Sequence, residues 1–313
     1  MSNDSVTTSL TRAQTGRDAK ERLYRWLLFS CTALTVLVTL SILGTLAYDT
    51  ITFFDFDHVE VVSFLTGTEW NSRTGTFGIL PLVSSTLIVT VVSAAIAIPI
   101  GTAAAVYLSE YASPRMRSVL KPALEILAGI PTVVYGFLAL VYLSPWLRAA
   151  GVPVGTFNLL SASIMVGILI VPMVSSLSED AMSAVPEELR EAGYGLGATK
   201  FEVSTKIVIP AAVSGIFSSY ILAISRAIGE TMIVVMAGGM MARLLNVTNP
   251  FENLFNSGQT MTAAMVHAVT SDATGASAEF YSMFAIGLTL FAITFLMNLL
   301  SNRIAARYRE EYQ

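Results

Sequence analysis

Six long apolar runs constrain this chain more than any single residue does. They lie near 26–48, 78–108, 122–143, 157–178, 211–240 and 281–301, each long enough to supply the roughly 20 helical residues that cross a bilayer core. In lipid the backbone polar groups must be bonded inside the protein, so the expected fold is an all-α integral membrane protein with six transmembrane helices. Composition agrees: of 313 residues, 54% are hydrophobic and 13% charged, against about 25% charged in soluble domains. The second and fifth runs are over-long, and the second contains Pro81, Pro99 and Gly101. Such runs tilt or break, and a break is tolerated where protein or a water-filled cavity receives the freed backbone groups.

Basic residues set the expected orientation. With the N-terminus inside, 14 of the 18 Lys and Arg fall on the inner side, in clusters at 12–25, 115–121, 190–206 and 303–309. Only Arg73, Arg148 and Arg243 fall outside, and Arg226 lies within a span. The positive-inside rule therefore predicts that both termini are cytoplasmic. Residues 1–22 are polar and lack a small-residue cleavage site behind an apolar core. They are expected to form a disordered cytoplasmic tail, followed by an uncleaved transmembrane helix at 23–50 and an extracytoplasmic loop at 51–76. A helical core at 77–303 and a cytoplasmic tail at 304–313 complete the chain, with no internal repeat or second soluble domain.

Several chemistries are disfavoured at once. A single cysteine, Cys31, rules out an intramolecular disulfide and argues against a cysteine metal site. Two histidines, His58 and His267, are too few for a histidine metal site or a triad. No cofactor, metal or nucleic-acid partner is expected.

The loop between the fourth and fifth runs has its own local design. Pro186 suits the first turn of a helix, and Glu187 and Glu188 suit the positive end of its dipole. Gly195 and Gly197 end that helix, and Thr199 with Glu202 spells a capping box for the next. The loop thus encodes helix, glycine turn and helix, which by pattern alone is also what an ordinary connection looks like.

These residues resemble a motif in the membrane subunits of ABC importers: Glu-Ala-Ala, three residues, Gly, nine residues, Ile, one residue, Leu-Pro. Here the run is Glu191-Ala192-Gly193, then Gly197, Ile207, Ile209 and Pro210. Every spacing matches, with Gly193 in place of Ala and Ile209 in place of Leu. The resemblance implies a type I ABC importer permease fold whose last five helices form the core, while the first wraps a partner. It also implies a coupling loop at 179–210, where Glu191, Ala192, Gly193, Gly197, Ile207 and Pro210 meet an ATP-hydrolysing subunit. No Gly-x-x-x-x-Gly-Lys-Ser/Thr loop is present, so ATP hydrolysis is expected on that separate subunit and the chain itself is expected not to be an enzyme.

Three further segments are similar to the phosphate permeases of the PstC type. They are Phe77-Gly-Ile-Leu-Pro81, Glu125 through Gly129-Ile-Pro131-Thr132 to Tyr135-Gly136, and Arg226-Ala-Ile-Gly229-Glu230-Thr231-Met232. Ile233 for a small residue and Thr132 for Ser are the departures. This resemblance implies a prokaryotic cytoplasmic membrane and inorganic phosphate as substrate. It also implies a heterodimer with a second phosphate permease, two copies of an ATP-binding subunit and an extracytoplasmic phosphate-binding protein.

Arg226 and Glu230 are four residues apart and, on an unbroken helix, share a face. A lone arginine at depth costs at least ~2.5–3.5 kcal/mol, so the pair should face protein or water. It is expected either to fix helix packing or to offer Arg226 to phosphate oxygens. In the second reading Glu230 neutralises Arg226 in the empty path and accepts a hydrogen bond from a protonated phosphate oxygen. Thr132, Tyr135 and Thr231 are further candidate path residues, although a hydroxyl in a span commonly bonds its own backbone. Glu125, four residues after Lys121, is expected to pair with it near the inner face. The stretch 259–269 is expected to be a short outer helix that meets a binding protein or packs over the spans. The alternatives are a permease for tungstate, molybdate or sulfate, an ion-gradient-driven transporter, and a membrane-embedded enzyme.

Overall fold

The computed structural model describes residues 4–72, 74–246, 248–271 and 277–309, with side chains for these residues from 20 to 300 and for Arg303. Arg73, Asp272 and residues 310–313 lie outside the described residues. Among the described residues, six helices are long and apolar enough to cross a membrane: Lys20–Phe54, Leu80–Tyr111, Thr132–Ala149, Leu159–Ser183, Lys200–Ile228 and Ala278–Leu300.

Helix α1 spans Asp4–Phe54. It therefore extends back through most of the stretch expected to be a disordered tail. Ala, Arg, Gln, Lys and Glu dominate 12–22, and these are strong helix formers able to prolong a helix already nucleated by the apolar run. A short α2 (Val61–Thr66) and a two-stranded antiparallel hairpin follow, with β1 (Trp70–Asn71) paired to β2 (Thr76–Phe77). Helix α3 (Leu80–Val106) accommodates Pro99 and widens into a π-helical turn at Tyr107–Tyr111.

The third apolar run, expected as one span at 122–143, is divided. Helix α4 (Pro114–Gly129) ends before Ile130 and Pro131, and the chain then re-enters helix as α5 (Thr132–Leu138). A residue preceding proline is driven out of the helical region, and Ile130 accordingly has ψ of 129°. The span proper runs from α5 through a π turn into α6 (Ser144–Ala149). Helices α7 (Leu159–Ser183), α8 (Glu187–Gly195) and α9 (Lys200–Val203) come next, and a π turn links α9 to α10 (Ile209–Ile228). The fifth run also breaks: α10 stops at Ile228, and α11 (Met232–Ala237) starts after Gly229-Glu230-Thr231. Last come α12 (Pro250–Phe255), α13 (Met261–Thr270) and α14 (Ala278–Arg309).

Helix α7 is the hub, flanked by α3 and α10. Close approach of α3 and α7 depends on Gly101, where a Cβ would sit 2.7 Å from the Val174 Cβ, the small-residue contact typical of membrane bundles. Ser93 also donates from α3 to the Ser163 carbonyl of α7 at 2.9 Å. The core at this crossing gathers Val89, Val166, Ile170, Ala223 and Val234. At one end Phe53, Phe64, Phe77, Met261 and Ile286 join α1, α2, β2, α13 and α14. Helix α13 contributes buried Met261, Ala263 and Ala264, so the stretch expected as an outer helix packs over the spans. At the other end, which carries Arg117, Lys121, Arg190 and Lys200, Met182, Val203, Val208 and Ile216 join α7, α9 and α10. Helix α1 packs on α14 but leaves Leu27, Leu34, Leu37 and Leu40 outward, an apolar surface suited to lipid or a partner helix.

Candidate functional site: a charged cavity and a basic-end helical hairpin

A cavity of about 440 Å³ lies among α4, α7 and α10. Helix α4 supplies Lys121 and Glu125, α7 supplies Glu179, and α10 supplies Arg226. The other walls are mostly apolar, including Leu124, Leu169 and Met173. Charges so placed interact more strongly than in bulk water.

These charges are not paired as the spacing suggests. Lys121 Nζ lies 2.6 Å from Glu179 Oε2 and 3.9 Å from Asp180, while Arg117 bonds the other Glu179 oxygen. Ser183 donates to that carboxylate as well, at 3.2 Å. Glu179 is completely buried, and two cations with a hydroxyl answer the cost of burying its charge. Lys121 is thereby drawn away from Glu125, contrary to the expected pairing. Among the described residues neither Glu125 nor Arg226 has a hydrogen bond or an ion pair.

Arg226 and Glu230 do not form the expected pair either, because the helix between them ends. Glu230 is 4% exposed, and its Oε1 accepts the backbone N–H groups of Met232 at 3.1 Å and Ile233 at 3.3 Å. These are the first amides of α11, which have no partner inside their own helix. The Glu230 carbonyl in turn accepts from Thr262 at 2.9 Å. The carboxylate therefore holds a broken span together instead of neutralising Arg226.

The remaining candidates divide similarly. Tyr135 is 3% exposed, and its hydroxyl donates 2.7 Å to the Leu127 carbonyl across the Ile130–Pro131 break. Thr231 donates to the Gly229 carbonyl at 3.1 Å within the other break. Thr132, the first residue of α5, is half-buried.

The hairpin of α8 and α9 follows the sequence closely. Pro186 precedes α8 at the cap position, Glu187 and Glu188 occupy the first turn, and the helix closes at Gly195. Gly197 has φ of +80°, a conformation that side chains with a Cβ rarely adopt. Thr199 and Glu202 form the reciprocal capping box. Gly193 is buried where its Cβ would lie 2.6 Å from Ile207 Cδ1 and 3.0 Å from Val203 Cγ2, so alanine at this position would require Ile207 to shift. Leu189, Tyr194, Leu196 and Phe201 point outward, Leu196 at 90% exposure. Exposed apolar groups clustered on one hairpin mark an interaction surface.

In the sequence Arg190 stands only as one more basic residue of the inner-side clusters. Its guanidinium donates to the carbonyls of Met182 at 2.8 Å and Val185 at 2.6 Å, and pairs with Glu110 at 3.4 Å. One side chain thus fastens α8 to the end of α7 and the turn after α3. The available signal was that Arg190 directly precedes the Glu-Ala-Gly run.

A helical membrane bundle with a charged cavity among its helices and an apolar hairpin at its basic end describes a transporter subunit that engages a partner. The chain belongs to the family of binding-protein-dependent transport system inner membrane components, matching it over residues 97–310. It is 32% identical over 307 residues to a probable ABC transporter permease of Bacillus subtilis, YqgH, covering 97% of each chain. It is 34% identical to the phosphate transport system permease PstC of Mesorhizobium japonicum, covering 75% of each. Among solved structures it resembles a bacterial ABC transporter for the acidic polysaccharide alginate, with a TM-score of 0.65, 15% identity, and coverage of 93% of this chain and 99% of that one. The inward-facing MetNI methionine transporter aligns with a TM-score of 0.52, 16% identity, and coverage of 74% and 94%. The chain is therefore a multi-pass permease subunit of the prokaryotic plasma membrane with the type I importer fold. It is a non-catalytic component that works with another permease, an ATPase subunit and a substrate-binding protein.

Proposed function

We propose that this subunit forms one side of a path for inorganic phosphate, as a PstC-type permease paired with a second, different phosphate permease. Two copies of an ATP-binding subunit sit beneath the pair, and an extracytoplasmic phosphate-binding protein delivers the substrate. The basic end of the bundle faces the cytoplasm, and both termini lie on that side. Support for phosphate comes from the PstC relatives of Mesorhizobium japonicum and Xylella fastidiosa, 34% and 30% identical.

The observation that carries this reading is Arg226, an arginine on a span with no partner among the described residues, facing a largely apolar cavity. An unpaired guanidinium at such a site is costly, and an oxyanion satisfies its planar fork. Thr132 and Thr231 lie at the two chain breaks; Thr132 serves the path as a hydroxyl donor, while Thr231, whose proton goes to the Gly229 carbonyl, lines the path with Glu230 and Tyr135. Glu191, Ala192, Gly193, Gly197, Ile207 and Pro210 form or support the hairpin that docks on the ATPase. Closure of the ATPase pair moves α8, and Arg190 transmits that motion to α7 and α3. No covalent bond is made or broken in this subunit.

The test is ATP-dependent uptake of radiolabelled phosphate into proteoliposomes holding the complete importer, comparing wild type with Arg226→Ala. Uptake that requires ATP and collapses in an assembled mutant is the expected result. Uptake of tungstate, molybdate or sulfate in place of phosphate would overturn the substrate, and uptake without the ATPase would overturn the coupling.

A further inference from the structure

We propose that Glu125 reads the proton on the transported oxyanion and so separates phosphate-like from sulfate-like substrates inside the permease. The inference rests on the proposed path beside Arg226 and adds a selectivity residue to it.

Two opposite charges without partners among the described residues line one cavity, Glu125 from α4 and Arg226 from α10. The other two charged groups on that cavity, Lys121 and Glu179, are committed to each other at 2.6 Å. Glu230 is not available for this task, since its Oε1 holds the two leading amides of α11. A carboxylate lining the same cavity as a guanidinium repels a bare anion, yet it accepts a hydrogen bond from an anion that still carries a proton.

Hydrogenphosphate and hydrogenarsenate meet both groups at once. Their unprotonated oxygens take the Arg226 fork, and their P–OH or As–OH donates to Glu125. Sulfate and selenate carry no proton near neutrality, so one of their oxygens would face the carboxylate with lone pairs on both sides. A site built around a substrate hydroxyl rejects the analogue that lacks it far better than a shape-fitted site does. In the empty cavity Glu125 supplies a countercharge for Arg226, which lowers the cost of holding an arginine at that position.

The experiment uses the complete importer in nanodiscs without the binding protein, with ADP held on the ATPase subunits. Equilibrium binding of radiolabelled phosphate is competed with unlabelled phosphate, arsenate, sulfate and selenate. In the wild type, arsenate displaces the label about as well as phosphate, and sulfate and selenate do not. In Glu125→Gln, phosphate binding weakens and sulfate competition strengthens, changing the phosphate-to-sulfate ratio by on the order of tenfold or more. Glu125→Asp retains the preference. An unchanged ratio in Glu125→Gln while Arg226→Ala loses phosphate overturns the role of Glu125 and leaves the path intact. Absence of phosphate binding to the wild-type complex overturns both. Should Glu125→Gln fail to assemble, the wild-type series decides: sulfate displacing the label as well as arsenate does overturns the proposal.

Discussion

Lys121 of α4 places its ammonium 2.6 Å from the buried carboxylate of Glu179 on α7, and with Arg117 it fastens a helix that has no fully buried residue of its own. The attachment is asymmetric, because Lys121 and Arg117 are 37% and 39% exposed whereas Glu179 is not exposed at all. Glu179→Gln frees two cations that can turn to water, and should cost only about 1 kcal/mol. Replacing both Arg117 and Lys121 with Met strands a buried carboxylate and should cost about 3–5 kcal/mol. Thermal unfolding of the two variants in detergent checks the order.

Gly193 is the one departure within the Glu-Ala-Ala motif, and its neighbours account for it. Gly193→Ala drives Ile207 aside, an overpacking penalty of roughly 1–3 kcal/mol set against a helix-propensity gain of about 1 kcal/mol. Coupled uptake should fall in Gly193→Ala and recover when Ile207→Val is added. A single mutant with undiminished uptake would show that Ile207 yields freely.

The helical hairpin was legible in the sequence almost residue by residue, because glycine turns and capping boxes act over three or four positions. Six spans were legible as well, since apolar length is a one-dimensional property. The breaks were not placed. Ile130–Pro131 interrupts an unbroken apolar run, and Gly229–Thr231 passes as helix by hydropathy, so only the backbone conformation separates α10 from α11. The partners of Lys121 and Glu230 are not legible in the sequence for a related reason. Spacing of four residues brings side chains together on one helix, but it says nothing about a stronger partner offered by the neighbouring helix, or about a helix that has already ended.

Leu196 stands at the tip of the hairpin, 90% exposed. Leu196→Asp should leave the permease folded and membrane-inserted while abolishing co-purification of the ATPase subunit. Pull-down with intact membrane expression tests this, and retained co-purification would move the docking surface elsewhere.

Tyr135 bridges the Ile130–Pro131 break through a single hydroxyl. Tyr135→Phe leaves the Leu127 carbonyl without that donor and should cost about 1 kcal/mol, with looser attachment of α4 to α5. A faster proteolytic cut near residue 130 than in wild type would reveal it, whereas equal rates would mean that the break is held by packing alone.

Glu230 is a carboxylate whose work is done on its own backbone, and this changes how genetics at the position should be understood. A screen for transport-dead alleles will recover Glu230 substitutions readily, yet the defect they carry is one of assembly, with two amides left unclaimed at the start of α11. The tolerated replacements should be side chains that accept hydrogen bonds over a short reach, whatever their charge, so chemical variety at this site would track helix capping and not cargo.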